Sequence, residues 1–378
     1  MINYEILRII WWAIMGIVLA GYAVMDGFDL GVAMLIPFAG RKDIERRIVI
    51  NTVGPVWEGN QVWIVLGGGV LFAAWPFLYA TSFSGFYLAI LLLLATFIFR
   101  PVGFKYRSKI SNATWRSFWD YMLAICAFLS AVVFGVAIGN VIQGVPFYFD
   151  PTLRMFYTGG FWALFNGFAI LCGLTSAAML LMHGGYYLST KTEGVIRDRA
   201  ISSSRIAAVI MVLLFAGGGF WVAYGMNGYV VTHIASLTGP SNPLYKTVTT
   251  QEGAWIANYV TYPYFMIAPI LGFAGAVLAA LVPRLLNGKL SFVLSALSVI
   301  GVVLTVGVSM FPFIMPSSSH PNSSIIVWDS SASQLSLEIM FVVACIFLPI
   351  IICYTTWVFH VLKGKVTDDT VTKNDQAY

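Results

Sequence analysis

The stretch Met25-Asp26-Gly27-Phe28-Asp29-Leu30-Gly31 sets two carboxylates inside an apolar run that extends from Ile9 to Phe38. Spaced three residues apart, Asp26 and Asp29 fall on one face of a helix. An ionised side chain at membrane depth is costly, so such groups face a bundle interior, a wet cavity or a partner. Two neighbouring carboxylates in poorly solvated surroundings also disfavour double ionisation. The pair admits two readings: a polar pathway or partner interface, or carboxylates hydrogen-bonded across helices to hold the fold.

The surrounding chain reads as membrane. Its 378 residues are 59% hydrophobic and 10% charged, with a mean hydropathy of +0.84. Soluble proteins carry about 25% charged residues, and windows of about 20 nearly uncharged positions recur here. Only helices and closed barrels satisfy their backbone groups in lipid, and these long apolar runs predict an all-α polytopic membrane protein. Nine transmembrane helices are predicted, at 9–37, 57–76, 79–99, 120–143, 162–183, 204–225, 263–283, 290–312 and 336–360. The second and third are divided only by a tight hairpin at Pro76-Phe77-Leu78. Residues 1–363 then form a single transmembrane domain and 364–378 a short cytoplasmic tail. The first apolar run is long enough to be retained as a span rather than cleaved as a signal.

The net charge of +5 does not point to nucleic acid, because the basic residues are spread over short connections between apolar runs. Arg41, Lys42, Arg46 and Arg47 fall on one side, as do Arg100, Lys105, Arg107, Lys109 and Arg116. Lys191, Arg197, Arg199, Arg205, Arg284, Lys289, Lys363, Lys365 and Lys373 join them, leaving only Arg8, Arg154 and Lys246 opposite. The positive-inside rule then puts the N terminus outside and the C terminus in the cytoplasm. The exterior connections, 144–161 and 226–262, gather tyrosines and Trp255 that read as interfacial anchors. Cys126, Cys172, Cys345 and Cys353 lie in apolar runs without CxxC spacing and read as buried free thiols.

Other polar groups carry weaker signals. Trp57-Glu58-Gly59-Asn60-Gln61 opens the second run, where Glu58 serves equally well as a proton relay or as an anion at a helix N-terminus. Trp57 and Trp63 read as packing residues whose rings can also line an apolar passage. Arg100 to Arg107 concentrates positive charge for topology and phospholipid contact. Asp120 is placed to pair with that segment or cap a helix, and Asp329 and Glu338 have similar structural alternatives. His183 is read at a cytoplasmic helix end, His233 and His320 in exterior connections and His360 near the end of the last span. No pair is set for bis-His haem ligation, and no metal ligand is assigned. Nucleotide-binding signatures are absent. On these residues alone an ion-coupled secondary transporter, using the carboxylates and the glycine runs at 67–69 and 217–219, stays open, as does an assembly factor.

The motifs taken in order resemble subunit II of the cytochrome bd quinol oxidase family. They are Gly21 to Gly31, Glu45-Arg46-Arg47, Trp57-Glu58-Gly59-Asn60-Gln61-Val62-Trp63, Phe83-Ser84-Gly85-Phe86-Tyr87, Phe99 to Lys109, Met310 to Ser317, and Trp328-Asp329, covering essentially the whole chain. The resemblance implies two four-helix bundles plus a peripheral helix. It also implies an accessory subunit of a quinol:oxygen oxidoreductase in the bacterial inner membrane, where quinol oxidation supplies electrons to reduce dioxygen to water. Haem b and haem d are then expected on a separate subunit I, a bound quinone in this chain, and a small accessory subunit and lipids as further partners. The isolated chain is not expected to be catalytically competent, and no catalytic residue is assigned directly. Residue by residue, Asp26 and Asp29 match the family's early pair near the proton entry. Glu58 stands where the enterobacterial form commonly has aspartate, and Trp63 matches an aromatic residue near the oxygen entrance.

Overall fold

The computed structural model describes residues 2–282 and 288–372. Arg284 and Lys373, counted above toward the orientation, lie outside the described residues. The Asn3 side chain accepts the Glu5 N–H at 2.9 Å, a cap that starts α1 (Tyr4–Ala39) five residues before the predicted span. After α2 (Asp43–Val53) comes α3 (Trp57–Ala74).

The predicted hairpin between the second and third spans is built differently. Trp75 breaks the helix, α4 (Pro76–Gly85) follows with Pro76 in its first turn, and α5 (Tyr87–Tyr106) begins after Phe86. The predicted start at residue 79 thus falls inside a separate short helix. Proline is favoured at the first helical position because its missing N–H would be unbonded there anyway.

Asn112 and Asn166 cap α6 (Ala113–Gln143) and α7 (Gly167–Lys191), and α8 (Gly194–Tyr224) follows. Apolarity reports only the lipid-facing part of a helix, whereas backbone hydrogen bonding continues into charged sequence. Accordingly α6 and α8 begin 7 and 10 residues before their predicted spans, and α7 continues past His183 to Lys191. The remaining helices are α9 (Ala254–Thr261), α10 (Ile267–Leu281), α11 (Gly288–Met310), α12 (Gln334–Val361) and α13 (Asp368–Thr372). Among the described residues, 8 helices are long and apolar enough to cross a membrane. The α3 helix, whose polar opening Glu58-Gly59-Asn60-Gln61 dilutes it, is not one of them.

Three two-stranded antiparallel sheets lie at the end of the molecule opposite the basic connections. They are β1 (Phe147–Phe149) with β2 (Met155–Tyr157), β3 (Asn227–Ile234) with β4 (Lys246–Glu252), and β5 (Phe313–Met315) with β6 (Ile325–Ile326). This hairpin end is tied to α1 by Arg8, which is fully buried. Its guanidinium donates to Ser331 Oγ at 2.7 Å, Leu237 O at 2.6 Å, Gly239 O at 3.0 Å and Ser241 Oγ at 3.1 Å. Lys246 is likewise buried against Asp329, 2.5 Å away. Two of the three basic residues counted on this side therefore hold the long connection in place.

The core runs along α1. Phe28 is stacked on Tyr187 at 4.0 Å and meets Phe292 edge-on at 5.9 Å. On the same helix, a Cβ at Gly31 would collide with Leu180 O and Gly184 Cα, and one at Gly184 would collide with the Gly31 backbone. The absence of side chains lets α1 and α7 meet backbone to backbone. Cys126 is buried and Cys172 half-buried, but Cys345 and Cys353 are exposed on α12, which buries only Leu337. An apolar residue on an outer helix can meet lipid instead of protein, which an apolar run by itself does not distinguish.

Candidate functional site

The Met25–Gly31 motif presents two different faces. Gly27 and Gly31 pack toward Leu180 and Gly184 of α7, whereas Asp26 and Asp29 turn toward α3 and α5. Asp26 is fully buried and accepts two bonds from Arg100 on α5, Nη1 to Oδ1 at 2.5 Å and Nη2 to Oδ2 at 3.2 Å. The Arg100 guanidinium also lies 5.2 Å from the centre of the Phe97 ring. Asp29 is 1% exposed, and its Oδ2 accepts from Asn60 Nδ2 of α3 at 2.8 Å. Its Oδ1 has no hydrogen-bond partner among the described residues. The two carboxylates share a face as the spacing requires, yet they bond to separate helices and not to each other.

The sequence places Arg100 in a basic topology segment, whereas the structure buries it as the counter-ion of Asp26. Asn60 carried no assigned role. The signal for Arg100 was charge balance, since a carboxylate inside an apolar run calls for a cation in another one. Asn60 had no comparable sequence signal, because its importance depends on which side of α3 meets α1. Beyond Arg100, a cavity of about 10 Å³, roughly the space of one water, is lined by residues including Thr96, Cys126 and Ser130. Thr96 Oγ1 and Ser130 Oγ lie 2.7 Å apart. Asn60 with Asp29, Arg100 with Asp26, and this hydroxyl pair are thus three separate polar contacts buried among α1, α3, α5 and α6.

Glu58 and Trp63 take other positions. The Glu58 carboxylate is exposed and lies 3.4 Å from the exposed Lys105 ammonium, outside the buried cluster. Trp63 is half-buried, with its ring packed over Gly21 so closely that a Cβ there would clash. Asp120 is buried beneath the basic end, where Arg107 Nε donates to Oδ1 at 2.5 Å and Arg46 Nη1 to Oδ2 at 3.0 Å. Asp43 adds bonds to Arg107 at 2.8 Å and Arg116 at 2.7 Å. Although burial opposes it, these two guanidiniums hold the Asp43 carboxyl below its usual value. Pairing of Asp120 with the Arg100–Arg107 segment is thus realised.

His183 differs from its sequence placement. It is wholly buried inside α7, parallel to the Phe292 ring at 4.8 Å, with Nδ1 at 2.8 Å from Ser295 Oγ and Nε2 at 3.1 Å from Val24 O. Both ring nitrogens are engaged, so neither is free to ligate a haem iron. Among the described residues, no group of three or more His, Cys, Asp or Glu side chains is set to hold a metal ion.

The family model for cytochrome bd terminal oxidase subunit II matches residues 7–362. The chain belongs to that family. Cytochrome bd-I ubiquinol oxidase subunit 2 of Escherichia coli K12 is 46% identical over 377 residues, covering 100% of both chains. The cytochrome bd ubiquinol oxidase subunit 2 of Bacillus subtilis 168 is 28% identical over 361 residues, covering 95% of this chain and 96% of its own. Among solved structures, a chain of the bd oxidase from Geobacillus thermodenitrificans superposes with a TM-score of 0.67. That match covers 94% of this chain and 98% of the other at 13% identity, a likeness of fold. As a cytochrome bd subunit II, the chain is a multi-pass component of an oxidase complex, and its family partner is subunit I. The full-length match decides against the transporter and assembly-factor readings.

Proposed function

We propose that this subunit II supports a haem-bearing subunit I in quinol oxidation and four-electron reduction of dioxygen to water, and conducts protons toward that chemistry. The observation that carries the proton role is the buried pairing of Asp26 with Arg100 and of Asp29 with Asn60 at the basic end of the helices. Glu58 sits at the mouth of this path, paired with Lys105, where it collects protons at the surface. Haem b and haem d belong to subunit I, in keeping with the engaged nitrogens of His183, and no step here is assigned to them. Trp63 lines the route by which oxygen enters. A bound quinone is supported by a groove of about 280 Å³ along α8, where Phe220, Trp221 and Tyr224 offer aromatic faces and a phenol hydroxyl.

The proposed setting is the bacterial inner membrane, with an exterior N terminus, a cytoplasmic C terminus and residues 1–363 as one membrane unit. Nine crossings are supported by the path of α3. Its first turn meets Asp29, while at its far end Ala74 O accepts from Ala332 N, beside the Tyr4 hydroxyl that donates to Ala332 O. The α3 helix therefore runs antiparallel to α1, from the level of Asp29 past Gly21 and Val18 toward its N-terminal end. The exposed α12 suits a helix peripheral to two four-helix bundles.

The test is purification of the tagged chain in mild detergent with reduced-minus-oxidised spectra and mass spectrometry. A stoichiometric haem-bearing partner, with haem absorbance lost when the chains are separated, is the expected result; haem retained by the isolated chain would refute the division of labour. In assembled, haem-loaded complex, Asp29→Asn should slow proton-coupled turnover on the order of 10²-fold, the scale of one positioned acid–base group.

A further inference from the structure

The two buried carboxylates have unequal surroundings. Asp26 faces a guanidinium that meets both of its oxygens, at 2.5 and 3.2 Å, and Arg100 is itself only 5% exposed. A bidentate arginine pair of this kind is rigid and keeps both partners charged, because neutralising either one strands a buried charge. Asp29 has no such partner. A single amide donor reaches Oδ2 from Asn60 at 2.8 Å, and Oδ1 is buried with no group among the described residues bonded to it.

An ionised carboxylate offers about four lone-pair sites to donors, and the described residues supply Asp29 with one. The guanidinium in the cluster is already matched by Asp26, so ionising Asp29 as well would leave a net negative charge in an apolar core. Burial of an unbalanced charge costs several kcal/mol, far more than burial of a neutral carboxyl. Tyr22, buried on the same helix, carries a neutral phenol and supplies no balancing charge.

Building on the proton-path reading, we infer that Asp29 is the carboxyl that holds the transferable proton, that Asp26 with Arg100 is a fixed ion pair, and that Asn60 is the positioning residue of Asp29. In the resting complex Asp29 is a neutral acid. It gives its proton inward, passes through a short-lived carboxylate stabilised by the Asn60 amide, and recovers a proton from water on the basic side. One proton enters for each one that leaves, and Asp26 keeps its charge throughout. Asn60 fixes where the acid points, since its amide nitrogen anchors Oδ2 and leaves the unbonded Oδ1 to carry the proton.

The experiment is infrared difference spectroscopy of the assembled, haem-loaded complex in water and in deuterium oxide. A protonated-carboxyl C=O band that shifts down in deuterium oxide is expected in the parent and absent in Asp29→Asn. In Asn60→Ala the band is expected to keep its intensity at a displaced frequency, an effect that general loosening of the fold would not give. Survival of the band in assembled Asp29→Asn, or an undisplaced band in Asn60→Ala, overturns the assignment. The second variant decides the matter if the first does not assemble. Loss of the band in Asp29→Asn with parental turnover and proton uptake would uphold the proton on Asp29 while refuting conduction through it.

Discussion

Asn60 and Glu58 stand two residues apart in α3 and face opposite ways. The Asn60 amide reaches inward to Asp29 at 2.8 Å, and the Glu58 carboxylate reaches outward to Lys105 at 3.4 Å. Residues at this spacing do not share a helix face. Only the first of them enters the buried cluster, although the second carries the more obvious chemistry.

Glu58→Gln should therefore leave assembly and thermal midpoint unchanged, because exposed ion pairs add little to stability. Turnover and proton uptake, followed across pH in assembled complex, should fall by less than the loss caused by Asp29→Asn. Loss of proton uptake in Glu58→Gln equal to that in Asp29→Asn would place Glu58 within the path and not at its mouth.

The Asp120 carboxylate is wholly buried between Arg107 and Arg46. Its replacement by alanine leaves the buried Arg107 guanidinium with Asp43 as its remaining carboxylate and should cost about 1–3 kcal/mol, measured as unfolding of the detergent-solubilised complex. Arg46→Ala should cost less, since Arg107 still donates to both Asp120 oxygens, at 2.5 and 3.0 Å.

At the α1–α7 crossing, Gly31→Ala or Gly184→Ala must push two backbones apart and should destabilise by about 1–3 kcal/mol or prevent assembly. Gly16, on the same helix as Gly31, has nothing within 4 Å of the position a Cβ would take. Gly16→Ala should be neutral or slightly stabilising in the same thermal melt.

Burial pushes the Asp329 carboxyl from 3.8 up to about 6, outweighing the opposing pull of Lys246 and Arg8. Because the folded protein binds this proton more tightly than the unfolded chain, the associated stability is full below 3.8 and is lost as pH rises through about 6. Asp43 and Glu45, both held below their usual values, contribute with the opposite sign in acid. Thermal midpoints of Asp329→Asn and parent should accordingly converge or cross over that interval. Parallel pH profiles would show that Asp329 does not titrate there.

Membrane residence and most of the helices were legible because hydrocarbon imposes a one-dimensional rule: about 20 apolar residues per crossing. The carboxylates at 26 and 29 were legible for the same reason, as exceptions to it. The starts of α6 and α8 and the end of α7 were not, since backbone bonding, joined at α6 by the Asn112 cap, carries each helix beyond its apolar part. The short α4 was hidden because Trp75 and Phe86 interrupt a stretch that remains apolar throughout.

The sequence by itself determined an apolar helical scaffold, its charge asymmetry, its family resemblance and the presence of acids that had to be explained. Only the tertiary structure decided which acid meets a cation: Arg100 lies 74 residues beyond Asp26, and their pairing follows from how α1 and α5 are rotated against each other. Rotation likewise turns Asn60 in and Glu58 out, removes His183 from the helix end to the core, and converts Arg8 from an exterior charge into the clamp on the long connection. Hydropathy is a property of a segment, whereas hydrogen bonding and charge neutralisation belong to pairs of residues, and the pairs are made only when the helices pack.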